Sequence, residues 1–118
     1  MNRNKLATLT LTVLLLTLIL HLFGMYDYLY VKFWFYDIIV HILGGVGIAF
    51  STLYILENPK YIIISTIIFG ILWEIFEAYY GISGSPVGSF PYIIDTTKDL
   101  IDDLIGALIV LSIIKSKK

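Results

Sequence analysis

The residues of this chain best suited to chemistry are carboxylates set at helical spacing, with one histidine among them. Asp37 and His41 are four apart, so they share one face of a helix, a turn from each other. Glu74 and Glu77, three apart, also share a face. At about 100° per residue, Asp95, Asp99 and Asp102 fall in one narrow stripe, with Asp103 beside it. Carboxylates with an imidazole are ligands suited to Mg²⁺, Mn²⁺, Fe²⁺ or Zn²⁺. A cation so held could polarise a phosphoryl or carbonyl oxygen and activate water. Asp37, His41, Glu74, Glu77 and Asp99 are the candidate catalytic groups, and the same residues with Asp103 are the candidate metal ligands.

What must position them is a membrane bundle. The chain has 118 residues, 58% hydrophobic and only 14% charged, with a mean hydropathy of +0.89. A soluble domain runs nearer half apolar and a quarter charged. Four apolar stretches, about 6–23, 35–56, 61–80 and 95–114, each have the length of a helix crossing a hydrocarbon core of about 30 Å. They do not alternate as barrel strands do. The expected fold is therefore all-α: one transmembrane domain of four helices in a bundle.

Composition also excludes. A net charge of −1 gives no basic field for nucleic acid. Cysteine is absent, which removes disulfides, thiolate metal sites and thiol nucleophiles. Arg3 and Lys5 precede the first apolar run as in a secretory signal, but the run is long and His21-Leu22-Phe23 offers no small-residue cleavage pattern. It reads as a retained span.

The connections set the topology. Gly24 to Trp34 is a short aromatic linker, suited to lie at the headgroup level. Glu57-Asn58-Pro59-Lys60 is a tight turn, stopped by Pro59. Gly81 to Pro91 is an uncharged loop of turn residues that could fold over a site. With four spans, Arg3, Lys5, Lys60, Lys115, Lys117 and Lys118 share one side, against Lys32 and Lys98 on the other. That asymmetry places both termini in the cytoplasm of a multi-pass cell-membrane protein. Only Glu57 of the nine acidic residues falls on the cytoplasmic side. Three separate segments thus deliver carboxylates to one outer depth, where ionisable groups are costly and normally face the bundle interior.

Few cations stand nearby: Lys98 and Lys32 besides the histidines. Clustered carboxylates cannot all stay ionised in a poorly solvated site, so either some hold protons or a bound cation neutralises them. A plainer role competes for some of them. Acids at a helix start complement its dipole, and for Asp95 and Asp102 we favour that solvated role. Glu74 and Glu77 lie near a helix C-terminus, the wrong end for anions. His21 reads as an interface side chain, and Asp27 and Lys32 as solvated. Gly44, Gly45, Gly47 and Ser51, with Gly106 and Ala107, give small-residue faces for close helix packing or for oligomer formation. Asp37-x-x-x-His41-x-x-Gly44-Gly45 matches Asp99-x-x-x-Asp103-x-x-Gly106-Ala107, as two related hairpins would.

The order Asp37-x-x-x-His41, Trp73-Glu74-x-x-Glu77, Asp95-Thr96-x-x-Asp99 and Gly106-Ala107 resembles the YjdF-like family of small membrane proteins over roughly residues 34–110. More distantly it is similar to VanZ-like proteins. The resemblance implies a multipass membrane protein and adds no mechanism. Two functions remain from the residues. One is a metal-dependent enzyme acting on a lipid or isoprenoid headgroup at the outer face. The other is a non-enzymatic protein that binds or passes cations or protons, or a structural subunit with no site. The expected partners are membrane lipids. Because cysteine is absent, single cysteines report topology cleanly. An impermeant thiol reagent added outside cells is expected to label Ser85→Cys and not Ser116→Cys, and the reverse pattern would overturn the orientation.

Overall fold

The computed structural model describes residues 1–117, so Lys118, counted above with the cytoplasmic basic residues, lies outside the described residues. Helices are the regular elements among them: α1 (Arg3–Tyr26), a short α2 (Leu29–Lys32), α3 (Tyr36–Leu56), a 3-10 turn (Pro59–Tyr61), α4 (Ile62–Tyr80) and α5 (Phe90–Ser116). Three segments are long and apolar enough to cross a membrane: Arg3–Tyr26, Tyr36–Leu56 and Pro59–Tyr80. The fourth expected span, α5, is the longest helix at 27 residues, but the acids of its first half keep it out of that class.

The start of α5 differs from the sequence expectation. The acidic stripe suggests a start near Asp95, whereas the helix begins at Phe90. Pro91 sits in the first turn, where its missing N–H costs nothing, and the Ser89 hydroxyl accepts from Tyr92 N at 3.4 Å. Asp95, Asp99 and Asp102 are consequently interior helix residues, and no acid occupies the first turn. The dipole role favoured for Asp95 and Asp102 does not apply; of the acids in these helices Asp37 lies in a first turn, that of α3. The first helix is also longer than its apolar run. Asn2 caps it by accepting from the N–H groups of Asn4 and Lys5, so Arg3 and Lys5 are already helical.

Pairings fix the directions. Arg3 bonds Glu57 and lies over the Tyr54 ring at one end, and the Tyr36 hydroxyl donates to the Leu20 carbonyl at the other, so α1 and α3 are antiparallel. Gly70 faces Asp103 and Leu100 while Glu74 faces Thr96, so α4 and α5 are antiparallel too. His41 pairs with Asp103, and Ile42 with Gly106, so α3 and α5 run the same way. Both termini therefore share the end of the bundle that holds Glu57 and Lys60. Near that end the core is apolar, built on Ala49, Phe50, Ile62, Ala107 and Val110. At the other end the buried polar side chains are His41, Glu74, Asp99, Asp102 and Asp103, with Val40 beside them.

The closest approach is between α3 and α5. A Cβ built on Gly45 would lie 1.9 Å from the Asp103 carbonyl oxygen, and one on Gly106 would lie 2.1 Å from the Ile42 carbonyl oxygen. Small residues permit this backbone contact in the absence of a hydrophobic drive between lipid-facing helices. Gly45→Ala and Gly106→Ala are each expected to lower the melting temperature in detergent, at a cost of about 1–3 kcal/mol from overpacking. Gly44→Ala, whose added Cβ meets nothing nearer than 3.9 Å, is expected to melt like the parent. Identical melting curves for all three variants would contradict the crossing.

Candidate metal centre

His41 stands at the middle of the polar end. It is 6% exposed, one turn below Asp37 on α3. Its Nδ1–H donates to Asp103 Oδ1 at 3.0 Å. A carboxylate is acceptor-only, so this bond fixes the tautomer and aims Nε2 the other way. Nε2 lies 3.5 Å from Asp37 Oδ1 and 3.5 Å from Asp99 Oδ2. Both separations are long for a hydrogen bond. They are near the ligand–ligand edge of a tetrahedral cation with bonds of about 2.0–2.1 Å, an edge of about 3.4 Å. Asp37, His41 and Asp99 each offer one ligand atom, and these atoms lie within 4.8 Å of one another.

The opposite oxygens of the two aspartates take a lysine. Lys98 Nζ donates to Asp37 Oδ2 at 2.9 Å, to Asp99 Oδ1 at 2.9 Å and to Asp102 Oδ2 at 3.1 Å. Lys98 is the cation that the sequence reading named but did not place. Its spacing of four from Asp102 and its adjacency to Asp99 were the available signal. Asp102 is 6% exposed and held by this ammonium, so the solvated role favoured for it is corrected. Asp95 is half-buried, whereas Asp27 and Lys32 are exposed.

A second group lies beside the first. Glu74, Glu77 and Asp99 also place one ligand atom each within 4.8 Å of one another. Glu74 Oε2 accepts from Thr96 Oγ1 at 3.2 Å, and Glu77 Oε1 accepts from Trp73 Nε1 at 3.1 Å. The structure thus gathers Asp37, His41, Glu74, Glu77 and Asp99 around one space. Asp103 is set differently: it stands behind the imidazole, on Nδ1, and orients His41 rather than facing the other carboxylates.

His21 is more than an interface side chain. Its Nδ1 accepts from the Tyr30 hydroxyl at 2.8 Å, and its ring meets Trp73 edge-on at 5.0 Å. Burial and the nearby Asp37 carboxylate raise the Tyr30 phenol above its ordinary value, which keeps its proton in place for that bond. His21 and His41 both line a cavity of about 310 Å³ enclosed by α1, α3 and α4, with Asp103 at its polar end. Its other walls are apolar, among them Leu14, Leu18, Val40 and Phe69. Leu14, Leu18 and Phe69 are themselves 40–55% exposed on the outside of the bundle, so the cavity opens sideways, between α1 and α4. At the polar end of the bundle a shallower depression of about 550 Å³ runs from Ser83–Ser85 and Phe90 down to Asp95 and Lys98.

Residues 1–117 match the family described as "Predicted membrane protein (DUF2238)", consistent with the YjdF-like resemblance. No curated protein and no solved structure matches the chain.

The lysine cage has a direct energetic consequence. Lys98→Met leaves Asp37, Asp99 and Asp102 facing one another, and is expected to lower the melting temperature in detergent. The double variant Lys98→Met/Asp37→Asn is expected to recover part of the loss, with a coupling of about 0.5–3 kcal/mol in a double-mutant cycle. Strictly additive effects would mean that the ammonium is not shared with Asp37.

Proposed function

We propose, for a chain that belongs to the DUF2238 family of membrane proteins, that it is a metal-dependent enzyme. Asp37, His41 and Asp99 would hold a divalent cation and act on the headgroup of a lipid or isoprenoid. The observation that carries the reading is the three-donor face at His41: Nε2 equidistant at 3.5 Å from two carboxylates, with Nδ1 already committed to Asp103. A carboxylate–histidine pair behind a ligand nitrogen is the usual support of a metal-bound imidazole. Two carboxylates and a neutral imidazole suit Mg²⁺, Mn²⁺, Fe²⁺ or Zn²⁺. Such a cation would polarise a phosphoryl or carbonyl oxygen and lower the pKa of a bound water. Lys98, partly open to the depression at the loop, is placed to meet an anionic headgroup. The sideways cavity gives an apolar chain a place beside that headgroup, and its volume is at the low end of the roughly 300–1,000 Å³ of ligand pockets.

This reading includes the arrangement in the membrane. α5 is taken as a fourth crossing whose acidic half is tolerated because Asp99, Asp102 and Asp103 face other helices. Both termini are taken as cytoplasmic, from the basic residues, which puts the polar end outside. A path for ions or protons through the bundle is the weaker reading. Toward the inner end the buried hydroxyls of Thr10, Thr52 and Thr66 each donate to their own helix backbone, and the apolar core closes the space between them.

Protein purified in detergent is expected to bind Mn²⁺ or Zn²⁺. Asp37→Asn and His41→Ala are expected to abolish binding. Asp103→Asn is expected to weaken it about 10–100-fold with helix content unchanged. Mixed micelles of diacylglycerol phosphate or polyprenyl phosphate are expected to yield inorganic phosphate only with the cation present, and not with Asp37→Asn. Binding that is equal in the parent and in Asp37→Asn, or absent from both, would sink the proposal.

A further inference from the structure

We infer that the site holds two divalent cations bridged by Asp99, one with Asp37 and His41 and the other with Glu74 and Glu77. The inference rests on the metal reading above and extends it to a second position. A cluster of acids alone would not carry it. The added observation is Glu74: the residue is 5% exposed, and its Oε1 is buried with no hydrogen-bond partner. An orphaned buried carboxylate oxygen costs free energy unless something fills its lone pairs. Here that oxygen belongs to a residue whose ligand atom already lies within 4.8 Å of those of Glu77 and Asp99.

The supports around this second group differ from those around the first. Thr96 Oγ1 holds the other oxygen of Glu74, and Trp73 Nε1 holds one oxygen of Glu77. Each glutamate is thus oriented by one donor from behind, as ligating carboxylates are. Asp99 is common to both groups and is 1% exposed. Two cations sharing Asp99 would form a two-metal site, a class in which the ions stand about 3.5–4 Å apart. Charge is consistent: Asp37, Asp99, Glu74 and Glu77 match two divalent cations, while Lys98 keeps Asp102. Bridging uses both oxygens of Asp99, so Lys98, 37% exposed, must release one of its three carboxylates toward the depression at the loop.

Two-cation sites clamp both the attacking and the leaving oxygen of an in-line displacement. The substrate class this favours is a phosphate ester or diphosphate on an apolar chain, rather than a carboxylic ester. The test uses Mn²⁺ alone as the probe on the full chain in detergent. After excess ion is removed by gel filtration, elemental analysis is expected to read two Mn²⁺ per chain. Electron paramagnetic resonance is expected to show a spin-coupled pair. Glu74→Gln is expected to reduce the content to one, with the signal of an isolated ion. Glu77→Gln, at a half-exposed position, serves the same purpose if Glu74→Gln does not fold. One uncoupled Mn²⁺ in the parent, unchanged by either variant, would overturn the second position and leave the first standing. No bound Mn²⁺ in the parent would overturn both.

Discussion

The backbones of α3 and α5 touch where Gly45 meets the Asp103 carbonyl and Gly106 meets the Ile42 carbonyl. Everything at the polar end follows from this contact. Two parallel helices held that close bring residues of equal depth face to face. Asp37 then meets Asp99 across a shared lysine, and His41 meets Asp103 directly, at a sequence separation of 62. These pairs are the corresponding positions of the two short repeats. A larger residue at either glycine would move the helices apart by more than a hydrogen bond tolerates, and the His41–Asp103 bond would go first.

That contact also sets the electrostatic problem. Buried carboxylates are stable only when paired or neutralised. Lys98 supplies one charge to three of them, and His41 stands between three. The remaining acids, Glu74 and Glu77, have only a hydroxyl and an indole N–H as partners. Neutral donors offset part of the desolvation cost of an ionised carboxylate, and not the whole of it. The polar end therefore carries a standing demand for positive charge, which protons or metal cations can meet. At Nε2 two carboxylate oxygens stand at equal distances of 3.5 Å, a position that a shared proton or a cation can occupy.

Much of this was legible in the sequence, for identifiable reasons. Depth is a matter of helix direction and residue count, so the convergence of Asp37, Glu74, Glu77 and Asp99 could be read from four apolar runs. The roles within the cluster could not. Asp103 and Asp99 are one turn apart on the same helix, yet one faces Nδ1 and the other Nε2 of the same ring, a distinction made by the rotation of α5 against α3. Asp102 read as a solvated residue because hydropathy counts charge and cannot see its pairing with Lys98. The start of α5 was misplaced for a related reason: Ser89 and Pro91 read as loop residues when a helix is located by its apolar run rather than by its cap. His21 was a single residue with no partner in sequence, and only the fold brings Tyr30 and Trp73 to it.

The two openings beside the cluster differ in their walls. The depression at the loop reaches Lys98 and Asp95 past Ser83, Gly84 and Ser85, a polar approach. The sideways cavity reaches His41 and Asp103 through Leu18, Val40 and Phe69, an apolar one. On the function proposed above, a molecule with an anionic head and a hydrocarbon chain would use both, the head at the depth of Asp99 and the chain between α1 and α4. Trp73 stands at that junction, its indole N–H on Glu77 and its ring against His21. It joins the wall of the apolar cavity to the acidic group beside it, as an amphipathic indole does at a boundary between hydrocarbon and polar surroundings.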